Sequence, residues 1–176
     1  MSTFSKSILY GLFALIIAIF VLNGQIQQGR FLSAVAPFLQ FCMPVKGLHA
    51  PLVSEPIDVS NDTKLFEYTF TNRFVGDHAF GVMAKDLSKN IADATIPAFS
   101  MSVEFVVDGR QVLMALAEDP AYSFWTDYGD GYAFVRYKVP GDVPVGKAVL
   151  CRVRITRPDA AFQSRHGPVT VYASRE

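Results

Sequence analysis

The 176-residue chain predicts a mainly β protein: an antiparallel β-sandwich preceded by an N-terminal transmembrane or signal helix. Three observations predict it. One uncharged run opens at Ile8 and closes at Leu22, and nothing later in the chain matches its continuous apolarity. From residue 51 onward, apolar residues alternate with polar ones instead of recurring every third or fourth position, the period of a half-buried strand. Turn signals such as Asp108-Gly109 and Pro140-Gly141 punctuate that alternation at short intervals. The chain accordingly divides into an anchor or signal segment (1–24), a juxtamembrane apolar segment and linker (25–50) and a sandwich domain (51–176).

The run from Ile8 to Leu22 is 15 residues long, short of the roughly 20 that cross a bilayer as a helix. Counting from Phe4, with Lys6 snorkelling its ammonium to the interface, completes a thin span. A cleaved signal peptide is the competing reading, since a short charged start precedes an apolar middle. Ala34-Val35-Ala36 has the small-x-small pattern, but Pro37 follows it and it lies far beyond Leu22. A cut after Gly24 fits the distance, yet places bulky Leu22 third before the cut. Cys42 follows Leu39-Gln40-Phe41, where lipidation would want small residues. Lys6 before the run and Arg30 after it place the C-terminal bulk outside the cytosol, periplasmic or extracellular, by the positive-inside bias. A cleaved segment would make the protein secreted.

Sixteen basic and sixteen acidic residues cancel. No global field favours nucleic acid, which is not an expected partner. Fifteen Phe and seven Tyr are the aromatic load of a strand-rich domain. Two cysteines make neither a disulfide framework nor a zinc site.

After the polar residues 23–30, a second apolar segment opens at Phe31 and closes at Val45. Phe31, Ala34, Val35, Phe38 and Cys42 share one helix face, which suits an interfacial helix, a helix docked on the domain, or a plain apolar linker. Phe66, Tyr68 and Phe70 then alternate in a first clear strand. A second follows from His78 to Lys85, with Phe80 and Val82 on one side and Met83 on the other. Asp86 to Thr95 reads as a polar loop. Met101, Val103, Phe105 and Val107 alternate up to Asp108-Gly109, and Val112 to Ala117 returns; that pair between apolar runs is a hairpin signal because both turn residues need positive φ. Aromatic residues crowd the next connection, Tyr122 to Tyr128. Ala133, Val135, Tyr137 and Val139 form one strand face. Val149, Cys151, Val153 and Ile155 form the clearest face of all, with Arg152 and Arg154 opposite. Val169 to Ala173 is the last strand. Seven or eight short strands with turns between them resemble an immunoglobulin-like sandwich in general build, without the Cys…Trp…Cys spacing of a true immunoglobulin domain.

The residues offer little chemistry. No Gly-x-Ser-x-Gly turn is present. His49, His78 and His166 have no helical pairing that would make a metal motif. Asp127-Tyr128-Gly129-Asp130-Gly131 has part of a calcium loop but lacks the alternate oxygen ligands and the closing Glu; a turn is the simpler reading. Asn61-Asp62-Thr63 is a glycosylation sequon, relevant only in a eukaryotic secretory route. Neither metal nor cofactor is expected, and no enzymatic activity. Two binding surfaces are. Tyr122, Phe124, Trp125 and Tyr128 beside Asp127 and Asp130 suit a glycan or peptide platform, unless Phe124 and Trp125 plug one end of the core. Arg136, Lys138, Arg152 and Arg154 would form one basic face if their strands pair, unless that face is merely solvated. A Cys42–Cys151 bridge would require the juxtamembrane segment to dock at the core edge. The expectation is a membrane-anchored interaction module or envelope-complex subunit with a protein partner; the alternative is a carbohydrate-binding module using the aromatic stretch.

Overall fold

A computed structural model describes residues 3–84, 87, 96–126 and 128–176, with side chains from residue 8 onward. The Lys6 side chain, Asp127 and, apart from Leu87, the expected loop from Asp86 to Thr95 lie outside the described residues. The chain forms two compact units, Met1–Leu48 and His49–Glu176.

In the first unit, α1 (Thr3–Gln27) continues through the polar Asn23-Gly24-Gln25 instead of stopping at Leu22. Its segment Ile8–Gln27 is 20 residues long and apolar enough to cross a membrane or to serve as a signal. At 1.5 Å per residue that is about 30 Å, the thickness of a hydrocarbon core. Polar side chains near the helix end hold the returning chain: Asn23 Nδ2 and Gln27 Nε2 each donate to the Met43 carbonyl at 2.9 Å, and Gln27 Nε2 also donates to Asn23 Oδ1 at 2.6 Å.

A 3₁₀ turn (Ser33–Val35) leads into α2 (Ala36–Cys42), where Pro37 occupies the first helical turn. Proline there has no N–H to waste and a backbone angle already suited to a helix. This restart shifts the helical phase. Ala36, Leu39 and Gln40 are the buried residues, whereas Phe38 and Phe41 are 68% and 87% exposed. The face expected from Phe31, Ala34, Val35, Phe38 and Cys42 is therefore not the buried one. Cys42 is exposed and Cys151 buried; both are free thiols.

The second unit is two antiparallel sheets. The five-stranded sheet has the order β1 (Val53–Ile57), β9 (Val169–Arg175), β3 (Gly76–Ala84), β7 (Gly129–Val139), β6 (Tyr122–Thr126). The four-stranded sheet has the order β2 (Leu65–Thr71), β8 (Ala148–Arg157), β4 (Ser100–Val107), β5 (Arg110–Ala117). Their inward faces share one core. Phe105 of β4 meets Phe80 of β3 and Tyr137 of β7 edge-on at 5.8 and 5.1 Å between ring centroids, and Phe70 of β2 at 5.6 Å. Such edge-to-face pairs add about 0.5–1.5 kcal/mol each beyond the area they bury.

Local sequence accounts for most of these elements. Asp108 and Gly109, with φ of 50° and 76°, join β4 to β5 as the hairpin signal requires. In β8, Val149, Cys151, Val153 and Ile155 are buried. Two elements differ from the sequence reading. Residues 122–126 are a strand, not a loop: Tyr122, Phe124 and Thr126 alternate with Ser123 and Trp125 and pair with β7. In β7, the register against β3 slips at Phe80/Gly81 and leaves Phe134 as an extra residue, a bulge. Phe134 and Val135 both join the core, so Ala133 leaves the face it was expected to share with Val135, Tyr137 and Val139.

The sequence reading also missed α3 (Ala160–His166), a short helix before β9. Asp159 caps it by accepting from the Phe162 N–H at 2.9 Å. Phe162 is buried between Phe99 and Tyr132, at 5.6 and 6.4 Å between centroids.

Candidate functional site

The outward face of the five-stranded sheet carries a cleft of about 810 Å³, within the usual size range of ligand sites. Strand pairing builds its floor. Ala79 of β3 lies between Ser174 of β9 and Arg136 of β7. The next rank runs from Tyr172 through Gly81 and Ala133 to Tyr122. Small residues in the central strands leave room for the rings of the flanking strands. Phe124 stacks on Tyr172 across Gly131, with centroids 4.8 Å apart and planes 26° from parallel. Trp125 and Tyr128 complete the rim and are 74% and 55% exposed.

The other end of the cleft is polar. Glu176 accepts from Arg136, from Nη2 at 2.6 Å and Nε at 3.0 Å, a two-toothed pair. The Tyr122 hydroxyl donates to the same carboxylate, and the Arg136 guanidinium lies over the Tyr122 ring at 5.3 Å. Burial raises the Glu176 pKa, but the hydrogen bonds from Arg136 and Tyr122 and the Arg136 charge outweigh it and leave the carboxyl below its ordinary value. Burial, then the bond to Glu176, pushes the Tyr122 hydroxyl above its ordinary value. Arg175 also lines this end; burial lowers its pKa, and its Nε has no hydrogen-bond partner among the described residues. His49 Nδ1 stands 3.2 Å from the Arg175 carbonyl oxygen.

The cleft thus gathers Tyr122, Phe124, Trp125 and Tyr128 from the predicted aromatic set. Asp130 sits in β7 opposite Trp125 and is not among the lining residues. Trp125 does not plug the core: it lies on an edge strand, largely exposed, and is not among the core residues. Tyr172, Ser174, Arg175 and Glu176 of the β9 end, and Ala79 of β3, are contributors the sequence reading missed. They lie far away in sequence, and only the sheet order brings them together.

The expected basic face does not form. Arg136 and Lys138 belong to the five-stranded sheet, Arg152 and Arg154 to the four-stranded one. The chain crosses between sheets after β7, so β7 and β8 do not pair. Arg136 is engaged by Glu176, and Arg152 lies between Glu67 at 2.9 Å and Glu104 at 3.4 Å. These pairs neutralise the patch. Lys138 and Arg154 are exposed.

His49 precedes β1, His78 lies in β3 and His166 ends α3. Burial lowers the His78 pKa to about 4, and its ring stacks on Tyr137 at 5.3 Å. Among the described residues, no group of three or more His, Cys, Asp or Glu side chains is placed to hold a metal ion.

No protein-family model matches the chain. No curated protein is similar to it at a significant level. Among solved structures, the crystal structure of a protein from Sulfurospirillum deleyianum is similar at a TM-score of 0.46 and 8% identity, over 69% of this chain and 94% of that one. At that distance the likeness bears on neither fold nor function.

Proposed function

We propose that the protein is a non-catalytic binding module, tethered to a membrane by α1 with residues 49–176 outside the cytosol, that holds a protein partner in the aromatic cleft. The two face-packed sheets are read as a β-sandwich of immunoglobulin-like build in its layers only. The strand orders, β1-β9-β3-β7-β6 and β2-β8-β4-β5, are not those of an immunoglobulin domain.

One observation carries the reading: the single Trp of the chain is 74% exposed on an edge strand, at the rim of a cleft it shares with Tyr122, Tyr128 and Arg136. An exposed indole costs solubility, and Trp, Tyr and Arg are the residue types that dominate protein-binding energy. A neutral or acidic glycan is the second reading, favoured by the Phe124–Tyr172 stack, a flat apolar surface beside hydrogen-bonding groups.

The test is retention of a partner by the full-length protein in mild detergent, comparing wild type with Trp125→Ala and Tyr128→Ala. The expected result is one stoichiometric protein, lost from both variants. A wild-type protein that retains nothing, but binds a glycan array through Trp125, supports the second reading. Identical retention by all three proteins overturns the cleft as the site.

A further inference from the structure

The polarity of α2 is inverted. At roughly 100° of turn per residue, its side chains divide into two opposed faces. Ala36, Leu39 and Gln40 share the buried face, whereas Pro37, Phe38, Phe41 and Cys42 share the other and are all exposed. The one polar side chain of the helix, Gln40, is only 4% exposed, and its two phenylalanines stand outward. A surface helix in water has the reverse arrangement, apolar inward and polar outward. The end of α1 repeats the inversion. Gln27 is fully buried and donates to the Met43 carbonyl and to Asn23 Oδ1, while Phe20 and Val21 stand exposed. Hydrocarbon imposes this pattern, because polar groups there must find their partners inside the protein.

We infer that α2 is a second membrane element: an interfacial helix whose exposed face, with Leu32 and Val35 just before it, lies in the boundary between headgroups and acyl chains of the leaflet where α1 ends. This rests on the reading of α1 as a membrane anchor. Depth is the first argument for lipid as the occupant. Asn23 and Gln27 stand in the last turns of α1, where a span of about 30 Å counted from Ile8 closes. Both donate to the carbonyl of Met43, the residue that ends α2. The end of α2 is therefore held level with the point at which α1 leaves the hydrocarbon.

Charge is the second argument. No charged residue lies between Lys6 and Arg30, nor between Arg30 and Lys46. Arg30 and Lys46 bracket the segment and are both exposed, free to reach lipid phosphates while the residues between them stay in the apolar boundary. The backbone between the helices is also closed to water. The Gly29 N–H bonds the Ile26 carbonyl and the Arg30 N–H bonds the Gln25 carbonyl, a closed helix end that turns the chain back and satisfies two of the last carbonyls of α1. The exposed residues Phe20 and Val21 of α1 and Leu32, Val35, Phe38 and Phe41 beyond it thus belong to one uncharged surface within the first unit.

Spin labels on the full-length protein in vesicles of phosphatidylcholine and phosphatidylglycerol test this, through collisions with oxygen, which concentrates in lipid, and with a water-soluble nickel chelate. Cys42 takes a label without any substitution, since Cys151 is buried. Phe38→Cys and Phe41→Cys, in a Cys42→Ser background, repeat the measurement on the same face. Phe13→Cys within α1 and Lys138→Cys on β7 provide the lipid and water references. The oxygen-to-nickel collision ratio at positions 38, 41 and 42 should exceed that at 138 by at least about threefold, as labels a few ångströms below the headgroups require. A lipid signal at 13 with a water signal at 38, 41 and 42 overturns the inference and leaves the anchor standing. A water signal at 13 as well removes the anchor, and the inference with it. Labels at 38, 41 and 42 shielded from both reagents would mean that protein covers the face, which also overturns the inference. Should a substituted protein fail to fold, the label on Cys42 of the unsubstituted chain still decides.

Discussion

The ring of Phe124 occupies the space that a side chain on Gly131 would need: a Cβ there would stand 2.7 Å from the ring's Cζ, closer than such atoms approach. It would also collide with the Val82 carbonyl on the neighbouring strand, which backbone pairing holds in place. Gly131→Ala should therefore destabilise the domain by about 1–3 kcal/mol, the usual cost of overpacking, and displace Phe124 from Tyr172. Urea denaturation measures the first effect. A variant as stable as wild type would show that β3 and β7 are not held as closely as described.

Trp125 and Arg136 should behave in the opposite way. The indole is largely exposed, and the Arg136 side chain is 63% exposed in its pair with Glu176. Exposed side chains are worth little, so Trp125→Ala should change stability by less than about 1 kcal/mol, and Arg136→Ala, which breaks an exposed ion pair, should leave it nearly unchanged. Partner retention should fall in both. A large loss of stability in Trp125→Ala, read from the same urea titration, would mean the indole is part of the core after all.

Cys151 is fully buried, and burial pushes its thiol well above the ordinary range. Thiolate is the reactive form, so the native protein should take up one equivalent of a thiol reagent, at Cys42, and two after unfolding in urea. Cys151→Asp should abolish folding, because an unpaired carboxylate would enter the centre of β8. Fast labelling of a Cys42→Ser protein under native conditions would contradict the assigned faces.

His78 gives the domain a pH dependence. In the unfolded chain its imidazole takes up a proton near pH 6.5; in the folded chain burial delays this to about pH 4. Between these values the unfolded state holds the extra proton, so stability is highest above pH 6.5 and falls as the pH drops toward 4. At about 1.4 kcal/mol per pH unit, the loss across that window is on the order of 3 kcal/mol. Glu176, with its lowered pKa, adds a further loss only in the carboxylate range below. Thermal unfolding between pH 7 and 5 should therefore show a downward slope that His78→Gln flattens. Equal slopes in the two proteins would remove His78 as the cause.

How much of this was legible follows from what alternation encodes. The face of β8 was legible because Val149, Cys151, Val153 and Ile155 repeat without interruption, and the Asp108-Gly109 turn because its backbone demands those residues. Alternation gives the side a residue faces, not the sheet its strand joins. Hence Arg136 and Arg152 had the right parity on their own strands and still ended on different sheets. A bulge breaks parity without leaving a polar mark, so the inward turn of Phe134 was hidden. β6 was hidden because aromatic residues occupy both its faces. The cap at Asp159 was a usable sign of α3, but seven residues are too few to show a helical period.

The position of β9 has a consequence for how the protein is made. This late strand sits between β1 and β3, two of the earliest. Until residues 169–175 leave the ribosome, β1 has no strand to pair with and β3 lacks a neighbour on one side. Vectorial synthesis therefore delivers a half-built sheet whose gap is filled only when β9 emerges. A chain stalled short of that point would present two raw strand edges, on β1 and on β3, to any other chain able to pair with them.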